Sequence, residues 1–250
     1  MIIIKRDEEL EKMRHAGRMA AKLLAFLGDH VTAGTSTLEL ELLSRRWIKK
    51  HNVQSATLHY KGFPATICTS RNNVVCHGIP HADDTLQEGD ILNIDVTLIV
   101  DHYHGDVSRT FTIGKVAGNI HRLVMRTERA LMKGIAAVAP GAYLNDIGCA
   151  IEDFIKPFKY GIVTALCGHG IGRNFHEDPL VMHSRQSQKG PMLKPGMTFT
   201  IEPMINEGHP DVYTSQKDGW SVYTKDNSYS AQFEHTIAVL EHGYEILTLP

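Results

Sequence analysis

The chain has 250 residues, 42% hydrophobic and 22% charged, with a formal net charge of −2. That length can bury a sizeable core in one large domain or two small ones, and the near-neutral charge removes the electrostatic case for nucleic acid or an anionic membrane as main partner. The opening MIIIKRDEEL carries too short an apolar run for a signal peptide or a membrane span, and Cys68, Cys76, Cys149 and Cys167 form no CxxC pair, so they read as reduced cytoplasmic thiols.

In chain order, residues 7–27 place Leu10, Met13, Ala16, Gly17, Ala20, Leu24 and Leu27 at helical spacing, with Gly28 as a stop signal. A second helix starts with Ser36 or Thr37 as N-cap and runs through Leu38, Leu42, Leu43 and Trp47. Over residues 91–100, Asn93, Asp95 and Thr97 share one strand face, while Leu92, Ile94, Val96 and Leu98 share the other. Turn-forming residues at 101–105 then lead into a second alternating stretch at 106–111. On an antiparallel hairpin, Asp95 and Asp106 become cross-strand neighbours. Residues 121–138, ended by Pro140-Gly141, and 144–158 repeat the two-helix pattern. A last hairpin is expected over 220–239, turning at Lys225-Asp226-Asn227, with Trp220 opposite Glu234 and with Gln232, Glu234 and Thr236 on one face. The plan is two helices then strands, twice, which is an α+β class. No low-complexity linker divides it, so residues 1–250 read as one domain with an internal pseudo-duplication, its halves roughly 1–115 and 116–250.

The duplication is visible in the letters. Leu86, Gly89, Ile94 and Asp95 recur as Leu193, Gly196, Ile201 and Glu202, each pair 107 positions apart. Cys76-His77-Gly78-Ile79 is echoed by Cys167-Gly168-His169-Gly170-Ile171. Four acids, Asp95, Asp106, Glu202 and Glu234, therefore sit mid-strand among apolar neighbours. Buried carboxylates this close repel and desolvate badly unless cations pair with them. With His169 they make five oxygen-rich ligands, a set suited to Mn, Fe(II), Co or Zn rather than to a thiolate zinc site. Four carboxylates exceed what one small ion takes, so two divalent ions per chain is the better count, and paired metals activate water for hydrolysis.

These residues resemble the type I methionine aminopeptidases, metalloaminopeptidases of the pita-bread family M24, across nearly the whole chain. The match is carried by 73–80 (NVVCHGIP), Asn93-Ile-Asp95-Val, His104-Gly-Asp106, 168–179 (GHGIGRNFHEDP), Phe199-Thr-Ile-Glu202-Pro-Met and Ser230-Ala-Gln-Phe-Glu234-His-Thr. The resemblance implies two pseudosymmetric halves with helices outside a central, mainly antiparallel sheet. It implies removal of the initiator methionine from nascent polypeptides when the second residue is small. Asp106 and Glu234 would bridge two metals, Asp95 would bind one, and His169 and Glu202 would complete the other. Glu202 would be the general base. His77 and His176 would donate to the substrate carbonyl and its tetrahedral oxyanion. Tyr60, Phe63, Cys68, Phe175 and Trp220 would line an apolar slot for the methionine side chain. Thr57, where a Cys is common, and Phe63, where a Tyr is frequent, depart from the family pattern at the pocket wall. His102, His104 and His235 are expected to be structural.

The family also suggests a monovalent cation held by carbonyls near Asn72, Val74 and Ser230, a ribosome contact, a monomer and a cytoplasmic location, with no specific nucleic acid and no membrane. The small second residue it prefers is absent here, so Ile2 implies retention of Met1. Two alternatives stand beside this reading. An Xaa-Pro aminopeptidase or prolidase would share the ligands but usually carries a preceding domain for which this chain has no room. A catalytically inactive ribosome-associated protein would have lost ligands that are all present.

Overall fold

Two pairs of helices pack against the outside of one sheet in the computed structural model, which describes residues 1–250. α1 spans Asp7–Gly28 and α2 spans Thr37–His51; α3 spans Gly118–Ala136 and α4 spans Leu144–Ile155. Ser36 caps α2 through a reciprocal box. Its hydroxyl accepts from the Glu39 backbone N–H at 3.3 Å, and the Glu39 carboxylate accepts from the Ser36 N–H at 2.7 Å. Asn52, at φ 53°, closes the other end. Gly28 does not act as a left-handed stop. It is the last residue of α1, and a Cβ there would meet the Phe111 ring at 2.6 Å, so packing selects the glycine.

The buried face of α2 also differs from expectation. Leu40, Trp47 and Ile48 point inward, while Leu42 is 47% exposed. The reason is polar: Glu41 is buried because its carboxylate accepts the Thr66 N–H at 3.0 Å and the Thr66 hydroxyl at 2.7 Å. α3 begins three residues earlier than the periodicity implied. α4 stops at Ile155, where Pro157 in the following Lys156–Phe158 turn lacks an N–H to continue the ladder.

The main sheet has nine strands, all paired antiparallel. Its centre is the pairing of Tyr103–Thr112 with Glu234–Val239, and each half repeats outward from there. On one side Tyr103–Thr112 pairs with Ile91–Val100, which pairs with Cys68–Arg71; on the other Glu234–Val239 pairs with Thr198–Ile201, which pairs with Gly168–Gly170. Two cores lie beneath the helix pairs. Leu92, Ile94, Val96 and Leu98 pack under α1 and α2, while Phe199, Ile201, Ile237 and Val239 pack under α3 and α4. The opposite strand face, carrying Asn93, Asp95 and Thr97, is left to form the site.

Two expectations about hairpins are corrected. The first hairpin turns more tightly than expected, at Asp101-His102, both at positive φ, so Thr97 and not Asp95 stands opposite Asp106. Asp95 faces Ser108, and the two acids are diagonal neighbours. The hairpin over 220–239 does not form. Val222–Thr224 pairs with Val212–Thr214 and Val74–Cys76, whereas Ser230–Gln232 pairs with Met204–Asn206.

Candidate active site

The inner face of the sheet brings the predicted acids together as the floor of one cavity of about 320 Å³, lined by Asp95, Asp106, His169, Glu202 and Glu234. Asp106, His169 and Glu234 offer ligand atoms all within 4.8 Å of one another. His169 Nε2 lies 3.7 Å from Asp106 Oδ2 and 3.9 Å from Glu202 Oε1. The Gly168-His169-Gly170 strand can come this close because its flanking residues lack side chains. A Cβ on Gly168 would lie 2.4 Å from the Thr200 carbonyl oxygen, and one on Gly170 would lie 2.0 Å from that of Asp178.

The protonation pattern follows from burial. Asp95 is pushed up to about 7 and Glu202 to about 8 by desolvation, while Asp106 and Glu234 are raised by burial and then by neighbouring negative charge. Burial drives His169 the other way, to about 4, so its imidazole is neutral. Its Nδ1 lies 2.9 Å from the Gly170 carbonyl oxygen, which can only accept, so the proton sits on Nδ1 and the Nε2 lone pair faces the acids. Thr97 donates to Asp106 Oδ1 at 2.7 Å, whereas Asp95 Oδ1 is buried with no hydrogen-bond partner at all. A bare buried oxygen, three further carboxylates and an imidazole lone pair make a donor set that fits hard-to-borderline divalent cations. The acids that repel one another as a protein surface become complementary once positive charge lies between them.

The remaining predicted residues form the walls. His77 sits at φ 56°, a left-handed backbone that costs a non-glycine residue on the order of 1 kcal/mol and concentrates at functional positions. Its ring meets the edge of Trp220 at 6.2 Å, and Trp220 meets Phe63 edge-on at 5.2 Å. Phe63, Cys68 and Trp220 belong to one small apolar cluster. Tyr60 lies 4.9 Å from Phe175, and its hydroxyl is 3.1 Å from His176 Nδ1. His176 stands at the mouth, its ring 4.0 Å from that of His169. Thr57 also lines the cavity, its hydroxyl turned to the Ala65 carbonyl at 3.2 Å.

Lys61, Cys76, Ala165, Leu166, Cys167, Leu180 and Met204 line the cavity as well and were missed. Cys76 and Cys167 lie inside the repeated motifs, and Met204 closes the stretch Phe199-Thr-Ile-Glu202-Pro-Met, where position alone could have found them; Lys61 and Leu180 carry no such signal. His235 faces away, toward the Thr248 hydroxyl at 2.8 Å. His104 is buried beside the site and bonds the Gly172 carbonyl at 3.0 Å while stacking on Phe175, so it supports the loop that presents Phe175 and His176. Asn72 and Ser230 meet directly, the Ser230 N–H donating to the Asn72 carbonyl at 2.8 Å. No helix is long and apolar enough to cross a membrane.

A cage of carboxylates and one imidazole at the floor of an apolar cavity defines the class, a metal-dependent hydrolase. The chain belongs to metallopeptidase family M24, whose model matches residues 11–241. It is 52% identical over 241 residues to methionine aminopeptidase A of Synechocystis sp., covering 96% of this chain and 95% of that one. It superposes on the crystal structure of methionine aminopeptidase from Rickettsia prowazekii with a TM-score of 0.97, at 50% identity and full coverage of both chains. The expected α+β pita-bread fold is thus borne out. Prolidase from Pyrococcus furiosus shares that fold at a TM-score of 0.80, with 22% identity and 66% of its length covered.

Proposed function

We propose that this protein removes the N-terminal methionine from peptides and nascent polypeptides whose second residue is small. The observation that carries the reading is the juxtaposition of five metal-type donors with an apolar slot walled by Phe63, Cys68 and Trp220. Asp95, Asp106, His169, Glu202 and Glu234 would hold two divalent ions, of Co, Mn, Fe(II) or Zn. Bound there, such ions supply Lewis acidity toward the peptide carbonyl and lower the pKa of an attacking water. Glu202 takes the water's proton as general base, since it both lines the metal cage and faces the cavity. His77 donates a hydrogen bond to the substrate carbonyl, and His176 to the oxyanion that replaces it. The thioether of the substrate packs among Tyr60, Phe63, Cys68, Phe175 and Trp220, soft and polarizable surroundings that suit methionine.

Residues 1–250 act in this scheme as one catalytic unit, because the donors come from both halves. The same proposal has the protein act in the cytoplasm, as a monomer, on chains that emerge from the ribosome. The monovalent-cation site at the carbonyls of Asn72, Val74 and Ser230 belongs to the same proposal.

The deciding experiment is hydrolysis of Met-Ala and Xaa-Pro peptides with Mn, Co or Fe(II) added. Release of free methionine from Met-Ala peptides, abolished by chelator, is the expected result. Preferential cleavage of Xaa-Pro bonds would transfer the protein to the prolidase reading, and no turnover with any ion would favour an inactive binding protein. His77→Ala is expected to lower kcat by about 10²–10³-fold, the usual cost of one oxyanion-type donor, with metal content unchanged by elemental analysis. Loss of metal in that variant would make His77 a ligand instead.

A further inference from the structure

The two halves treat their equivalent acids differently, and the difference lies two residues upstream on the same strand face. In the second half that position is Thr200, which is fully buried. Its hydroxyl donates to Glu202 Oε1 at 2.7 Å and accepts the His169 backbone N–H at 3.0 Å. Its repeat counterpart, 107 positions earlier, is Asn93, whose amide turns away to the Gln232 carbonyl at 2.8 Å. No hydroxyl or amide equivalent to that of Thr200 then reaches Asp95, and one of its oxygens is left without a partner. Glu202, by contrast, is held at both oxygens, since Gln232 Nε2 donates to Oε2 at 3.3 Å.

We propose that Thr200 is a positioning residue for the reaction, its single hydroxyl fixing Glu202 relative to His169. A hydroxyl has one proton to donate and lone pairs to accept with. Donating to Glu202 leaves only acceptance for the His169 N–H, so the direction of both bonds is set and the two residues are locked in one geometry. Thr97 and Thr236 bond Asp106 alone, through its side chain and its backbone respectively. Among these threonines Thr200 is the one that touches two residues of the cage. The strand keeps its rotamer fixed because a β-branched side chain is stiff at χ1. Oriented ligands of this kind depend on such outer partners, whose loss costs about 10–100-fold in metal affinity or activity.

This assignment rests on the reading of Glu202 as ligand and base. Its test uses the full-length protein as Thr200→Val and Thr200→Ser, with two separate readouts: calorimetric titration of the metal-stripped protein with Mn(II), and steady-state hydrolysis of a Met-Ala peptide at saturating Mn(II). For Thr200→Val, metal affinity is expected to weaken and kcat to fall, each by about 10–100-fold, with KM little changed. Thr200→Ser keeps the hydroxyl and is expected to restore both. Parent-like values for Thr200→Val in both readouts would overturn the proposal, as would a serine variant as impaired as the valine one, because retaining the hydroxyl would then not retain the function. If the valine variant does not fold, Thr200→Cys takes its place, its weak thiol donor giving smaller losses in the same two quantities; parent-like values there overturn the proposal too. A parent protein that binds Mn(II) but leaves Met-Ala intact would refute the aminopeptidase reading, while calorimetry would still decide the role of Thr200.

Discussion

Glu202→Gln is expected to lower kcat on a Met-Ala peptide by about 10²–10⁴-fold, the range that a positioned general base supplies, with a much smaller change in KM. The amide has nearly the shape of the carboxylate but cannot take a proton from water at neutral pH. Its oxygen can still accept from Thr200, so the strand and the cavity wall stay in place. The cost falls at the opposite corner, where an amide NH₂ then confronts the Gln232 NH₂ that now donates to Oε2. Some weakening of metal binding is therefore part of the expected phenotype, and kcat has to be read at saturating metal to isolate the proton-transfer role. Near-normal turnover under those conditions would remove Glu202 from the base position and leave it a ligand only.

The acids were legible because strand periodicity and the repeat agree. Asp95 alternates with Leu92, Ile94, Val96 and Leu98, so burying those four aliphatics under α1 and α2 turns the carboxylate to the other face. The 107-position repeat then puts Glu202 in the same relation to Phe199 and Ile201. Register was not legible, since a period of two says which face a residue takes but not which residue it faces. Two positive-φ residues at Asp101-His102 fixed it, and moved Thr97 opposite Asp106. The misplaced hairpin has a related cause. Val222–Thr224 and Ser230–Gln232 flank good turn residues, but their partners, Val74–Cys76 and Met204–Asn206, come from distant chain segments whose claim on those strands no local pattern records. The inward turn of Glu41 on α2 is a third instance, tied to a threonine at position 66 in a distant loop as well as to Arg45 on its own helix. Lys61 and Leu180 reach the cavity mouth by the same kind of long-range placement.

Stripping the metal is expected to make stability fall as pH rises above about 6.5, which a protein with well-paired surface carboxylates does not do. The groups responsible are the four acids of the floor, all raised above their ordinary range, with Asp95 at about 7 and Glu202 at about 8. In the unfolded chain carboxyls titrate near pH 4. Between about pH 4 and 8 these four acids therefore hold more protons in the folded metal-free protein than in the unfolded chain. The buried histidines His169, His176, His183 and His235, lowered by burial, oppose them only below the ordinary imidazole range near 6.5, and above it the linkage relation makes unfolding easier as the acids' protons are withdrawn. The stabilising contribution is complete below the unfolded pKa and is lost as pH climbs through the folded values. Each tenfold difference in proton affinity between the folded and unfolded chain is worth about 1.4 kcal/mol. Several coupled acids therefore put the loss at several kcal/mol, and a chain of this size moves its Tm by about 2–4 °C for each of them. Divalent cations reverse the sign, because they bind the ionised carboxylates and release the same protons. Scanning calorimetry at pH 5, 6.5 and 8, with and without Mn(II), should show curves that nearly meet in acid and separate by about 10 °C or more at pH 8. A metal-stripped protein as stable at pH 8 as at pH 6.5 would mean that these carboxylates do not share one buried cage, and the metal site would fall with that result.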